Sequence, residues 1–138
     1  MNVLILNKQH LRGISEHSRM SFPVEACGML VGRRGHRKKI VERVCPTKNI
    51  LASASRYEID PQELVKVFDE AERESKEVLG FYHSHPHWPA HASKTDRSSA
   101  FYPNYSYLIY SNLEDEARSY VWNGRRFKPE RIKIVSRA

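Results

Sequence analysis

The stretch Ala26-Cys27-Gly28-Met29-Leu30-Val31-Gly32 is a near-continuous apolar run. A run this short, with no polar residue to face water, suits a strand buried inside a sheet. The residues after it agree. Gly35 sits in a turn over residues 33–37, and residues 39–44 alternate well enough to be the return strand of a hairpin. Residues 3–6 read as a short strand. Residues 9–20 read as a helix with Leu11 and Ile14 along one side, His17 or Ser18 continuing it, and Pro23 beyond its end. Residues 46–56 are small and polar, a loop, and a short strand follows at 57–59. Asp60-Pro61-Gln62-Glu63 then opens a helix by its cap, its first-turn proline and its glutamate at the third position. Leu64, Val65, Val67, Phe68 and Ala71 give that helix an apolar face. Further strands are expected at 77–82, 105–111, 118–122 and 126–135, with Asn123-Gly124 as a hairpin turn and Pro129 marking an edge or a bulge. Ser93 or Thr95 can cap a short helix reaching Phe101. The expected fold class is α/β in the α+β sense: a mixed, mainly antiparallel sheet flanked by two principal helices.

The 138 residues fit one compact domain, 1–138, and 40% of them are apolar, enough for one core. No run of apolar residues is long enough to span a membrane. The apolar start from Met1 to Leu6 lacks a basic leader and a cleavage site, so it reads as a strand and the chain is expected in the cytoplasm. Cys27 and Cys45 are too few for a disulfide framework or a zinc ribbon and read as thiols in a reducing compartment. The net charge of +7 favours an acidic partner. A solvated turn or edge strand explains its local density from Arg33 to Lys39 as well as a binding role does. No motif that reads DNA or RNA accompanies the charge, so nucleic acid is not an expected partner. A homodimer is compatible with the sequence.

The segment His83-Ser84-His85-Pro86-His87-Trp88-Pro89-Ala90-His91 holds four of the seven histidines. On a strand, residues i and i+2 share a face, so His83 and His85 can converge on one ion. Imidazole suits zinc, and a catalytic zinc takes three protein ligands and keeps a fourth position open. The third ligand must come from elsewhere, with His87, His91 and Asp96 as local candidates. Spacing alone does not choose among them, although Pro86 interrupts the series toward His87. Such a segment is also compatible with a pH-sensitive surface loop.

His83-Ser84-His85, then seven residues, then Ser93-Lys94-Thr95-Asp96 resembles the signature of the JAMM (MPN+) zinc metalloproteases. Glu25, in Pro23-Val24-Glu25-Ala26-Cys27-Gly28, fits the upstream glutamate of that family, with a glycine three residues later. Asn49, the segment from Ser53 to Tyr57, and Asp60-Pro61-Gln62-Glu63-Leu64 are similar to the small prokaryotic members. The resemblance implies an MPN or cytidine-deaminase-like fold and one Zn²⁺ per chain held by His83, His85 and Asp96. It implies Glu25 as general base, outside the metal's ligand set. It also implies Ser93 as a donor to the developing oxyanion, although Ser93 equally reads as a helix N-cap. Ser84 is expected to pack or hydrogen-bond within the strand.

The family's substrates are amide bonds after the C-terminal Gly-Gly of ubiquitin and ubiquitin-like proteins. The stretches 49–57 and 96–105 are short, which resembles the minimal archaeal or bacterial form. The resemblance implies an isopeptidase that removes a small archaeal ubiquitin-like modifier (SAMP) from lysine. One alternative is a peptidase that processes a ubiquitin-like sulfur carrier. Another, of a different class, is a non-catalytic MPN scaffold. The expected partners are the ubiquitin-like protein and its conjugates, with no membrane involved.

Overall fold

The computed structural model describes residues 2–136. The chain runs β1 (Val3–Asn7), α1 (Lys8–Ser21), β2 (Cys27–Gly35), β3 (Lys38–Thr47), α2 (Pro61–Arg73), β4 (Glu77–His85), α3 (Lys94–Ser99), β5 (Ser106–Ser111), β6 (Glu116–Trp122) and β7 (Phe127–Val135). Asn7 caps α1, its side chain accepting from His10 N at 2.8 Å. Asp60 caps α2, its Oδ1 accepting from Gln62 N at 2.9 Å, as Asp before Pro predicts.

The strands close into a barrel in the order β1-β3-β2-β4-β5-β6-β7. The expectation of a mixed, mainly antiparallel sheet flanked by two principal helices therefore holds only in part. The pairs β2–β3, β2–β4, β5–β6 and β6–β7 are antiparallel, but β1–β3, β1–β7 and β4–β5 are parallel. Parallel neighbours need a crossover. The β4–β5 crossover is the segment carrying α3, and β1 is reached by the distant β3 and β7. Pro129 lies where β7 pairs only with β6, before its ladder with β1 begins at Arg131, so the edge reading fits. The short strand expected at 57–59 is reduced to one bridge, Asn49 to Ile59.

Two apolar clusters stabilise the molecule. One joins Leu4, Leu6, Leu30, Leu79, Tyr82 and Leu108 to Ile14 of α1. The other joins Met29, Val31, Phe81 and Tyr107 to Val67 and Ala71 of α2. The apolar run of the sequence is β2, whose first six residues are buried. Among the described residues, no helix is long and apolar enough to cross a membrane.

The basic cluster 33–39 is solvated except at its end. Lys39 is 6% exposed. Strand alternation turns it inward, where its Nζ donates to Ser106 Oγ at 2.7 Å and lies 3.7 Å from Glu130 Oε2. Ser106 and Ser119 both donate to Glu130 Oε1, so the buried pair is embedded in hydrogen bonds.

Gly28 lies where β2 passes close against a buried ring. A Cβ there would overlap the ring of Tyr82 and come within 2.6 Å of the Cys45 carbonyl oxygen. Tyr82 is fully buried, with its hydroxyl 2.7 Å from His17 Nδ1, so it has little room to give way. Gly28→Ala should therefore cost about 1–3 kcal/mol or more, the range for overpacking a close-packed interior. A urea midpoint that does not fall would contradict this packing.

Candidate active site

The second half of β4 delivers His83 and His85, alternate residues on one face of the strand and both buried. Phe81 shares that face, so the cluster under α2 runs straight into the site. Asp96 comes from the first turn of α3. Ser93 caps that helix, its Oγ accepting from Asp96 N at 3.0 Å while its own N donates to Asp96 Oδ2 at 2.8 Å. This reciprocal box aims the carboxylate back at β4. His83 Nε2 lies 2.9 Å from Asp96 Oδ1, and His85 Nε2 lies 3.0 Å from Asp96 Oδ2. One ligand atom from each of the three residues falls within 4.8 Å of the others, so they could hold a metal ion.

The donor set fits a cation. His85 Nδ1 donates to the Pro89 carbonyl, 2.7 Å away, because a carbonyl oxygen can only accept. His85 Nε2 is hydrogen-bonded to Asp96 Oδ2 at 3.0 Å, and with Nδ1 committed to Pro89 it is Nε2 that would serve as the donor atom to a metal. His83 Nε2 faces the same carboxylate without the alignment of a hydrogen bond. Two imidazole nitrogens within 3.0 Å of one buried carboxylate are a donor set that a cation can take up. Burial raises the Asp96 pKa, but His83, His85 and the Ser93 amide outweigh it and hold the carboxyl well below the ordinary value.

Glu25 stands just ahead of β2. Cys27 pairs with His83, and the ladder continues past them, with Ser84 N donating to Ala26 O at 3.0 Å; this brings Glu25 level with His85. Its backbone is tied on three sides. Glu25 N donates to Ser53 O at 2.8 Å, Asn49 Nδ2 donates to Glu25 O at 3.0 Å, and Ala26 N donates to Ser84 Oγ at 2.8 Å. The carboxylate is 1% exposed and its Oε1 has no hydrogen-bond partner. Burial first, and then the charge of Asp96, push its pKa up to about 8. An unpaired buried carboxylate is costly, which makes a purely structural role for it uneconomical.

The other candidates separate from this cluster. His87 and His91 are exposed, and His87 packs on Phe22 at 5.1 Å between ring centroids. Ser84 is buried and its Oγ accepts from Ala26 N, as expected of a packing or hydrogen-bonding residue of the strand. Asn49 carries more than the sequence suggested. It is 8% exposed, and besides Glu25 O it bonds Arg56 O, Leu51 N and Glu58 N, fastening the 49–58 loop against the glutamate. The only sequence signal for this was the resemblance itself.

Burial pushes the Cys27 thiol up to about 11 and raises Cys45 as well, so neither is poised as a thiolate. Cys27→Ser combined with Cys45→Ser should leave hydrolysis largely intact. A folded but inactive double variant would point to thiol chemistry instead.

Residues 7–123 match the family described as prokaryotic homologues of the JAB domain. The chain is 36% identical over 113 residues to a desampylase of Haloferax volcanii, across 81% of this chain and 79% of that protein. It is 32% identical over 121 residues to a CysO-cysteine peptidase of Mycobacterium tuberculosis, across 86% and 82% respectively. A solution structure of a Desulfitobacterium hafniense protein superposes with a TM-score of 0.88 at 31% identity, covering 98% of this chain and 94% of that one. The match spans every residue of the site, and both named relatives are hydrolytic enzymes. The chain is accordingly a peptidase by kind and belongs to the prokaryotic JAB family.

Proposed function

We propose that this chain, as one catalytic domain, is a zinc-dependent isopeptidase. Its bond is the amide that joins the C-terminal Gly-Gly of a ubiquitin-like modifier to a lysine. The observation that carries the reading is the buried, unpaired carboxylate of Glu25 level with the His83, His85 and Asp96 cluster. Two imidazoles and a carboxylate are a donor set suited to zinc. Zinc held by those residues would supply Lewis-acid chemistry, polarising the scissile carbonyl and acidifying the attacking water. Glu25 accepts the proton of that water and passes it to the leaving lysine amine. The Ser93 hydroxyl accepts from Asp96 N and keeps its own proton free to donate to the developing oxyanion.

The surface beside the site supports an extended peptide. A groove of about 270 Å³ is lined by Tyr57, Ile59, Leu64, Phe81, Phe101 and Tyr107, which suits the apolar side chains ahead of a Gly-Gly end. The +7 charge complements an acidic modifier and speeds encounter. The desampylase likeness favours a lysine-linked substrate. The likeness to the CysO-cysteine peptidase favours a second reading, release of a residue from the C-terminus of a sulfur carrier. A competition assay separates them. One modifier is presented both as a Gly-Gly–lysine isopeptide and as a Gly-Gly–cysteine peptide at equal concentration. Faster cleavage of the isopeptide is expected; faster loss of the cysteine would put the second reading first.

A further inference from the structure

The two imidazoles that face Asp96 are supported differently. His85 is held from behind, its Nδ1 donating to the Pro89 carbonyl, which sets both its tautomer and the tilt of its ring. His83 is as deeply placed, 2% exposed, yet its Nδ1 has no hydrogen-bond partner. A metal-binding imidazole is ordinarily oriented by such a partner. What covers the His83 ring instead is the ring of Tyr57, with centroids 4.5 Å apart and planes inclined by 21°. That contact is closer and flatter than the one between His83 and His85, at 5.2 Å and 59°. It falls in the range of favourable offset stacking.

Tyr57 is itself firmly placed. The residues on either side of it are both tied to Asn49, whose Nδ2 donates to Arg56 O and whose Oδ1 accepts from Glu58 N. Asn49 also bonds Glu25 O, so one buried amide fastens the general base and the backbone that carries Tyr57.

We propose that Tyr57 is a positioning residue. Its ring stacks on His83 in place of the hydrogen bond that His83 lacks, and so sets the direction of His83 Nε2. This rests on the reading of His83, His85 and Asp96 as zinc ligands. The role belongs to the aromatic ring and not to the hydroxyl. Because Tyr57 also lines the groove, a peptide lying there would rest against the side chain that aims a ligand.

The test uses the full chain as wild type, Tyr57→Phe, Tyr57→Leu and Tyr57→Met. Zinc affinity is measured by competition with a chromogenic chelator. The histidine ring nitrogens of the metal-free protein are followed by long-range proton–nitrogen spectra. Tyr57→Phe should match wild type. Tyr57→Leu and Tyr57→Met should bind zinc ~10–100-fold more weakly, the usual cost of removing a ligand's support. In both, the His83 ring signals should shift or broaden while those of His85 stay. Wild-type affinity in folded Tyr57→Leu or Tyr57→Met would overturn the proposal, even with a lower Tm, because the ring would then be filler. Equal losses in Tyr57→Phe and Tyr57→Leu would overturn it by pointing to the hydroxyl. A wild-type chain that binds no zinc would overturn the metal reading first, and this proposal with it.

Discussion

Glu25→Gln should lower kcat for Gly-Gly isopeptide cleavage by ~10²–10⁴-fold or more, the contribution of a positioned general base. Glutamine keeps the shape of the side chain and can still hydrogen-bond a water, but it cannot take a proton. Zinc content should not change, because Glu25 lies outside the cluster of donor atoms. Binding of the modifier tail should also survive, since the groove is lined by other residues. The same substitution has an effect on the metal-free protein that is independent of turnover. A folded-state pKa raised from 4.5 to about 8 means that the fold prefers the protonated acid. Wild-type stability should therefore fall as pH rises from 4.5 through 8, and the Gln variant should lack that component. Cleavage at the wild-type rate in Glu25→Gln would remove Glu25 from the chemistry. Loss of zinc would make it a ligand and close the position left for water.

His83→Ala and Asp96→Asn should each strip the metal and reduce cleavage to background. The loss of affinity should exceed the ~10–100-fold cost of removing only a supporting partner. Asparagine is the more informative change at Asp96. Its amide oxygen can still accept from Ser93 N, so α3 keeps its cap while the anionic donor is lost. A Tm near that of the metal-free wild type would separate metal loss from unfolding. His87→Ala and His91→Ala are the controls: both residues are exposed, and neither should change metal content. Full zinc in Asp96→Asn, or loss of zinc in His87→Ala, would mean a different ligand set.

How much of this was legible beforehand depended on how local the cause was. The burial of β2 was visible because Cys27 to Val31 leave no polar face, and the start of α2 because Asp60 and Pro61 act within one turn. The pairing of His83 with His85 follows from a period of two. The choice of Asp96 over His87 and His91 came from the family resemblance, because all three can bind zinc and spacing alone does not separate them. Barrel closure left no local trace. It depends on β1 meeting β7, with Val3 opposite Arg131, a contact between the two ends of the chain. Lys39 was misread as solvated because a charge ordinarily marks the wet face, and its partner Glu130 lies far along the sequence. Asn49 looked like a loop residue and Tyr57 like a strand residue. Their roles consist of a stack on His83 and four hydrogen bonds, which exist only once the loop is folded against the site.

Single-turnover cleavage of a modifier–Gly-Gly–lysine isopeptide by metal-depleted protein, titrated with zinc, tests the central claim most directly. The metal-free chain should be inactive, and cleavage should rise with added zinc and level off at about one equivalent per chain, as one catalytic site requires. Cleavage by the metal-free chain at the rate of the zinc-loaded chain would contradict the account.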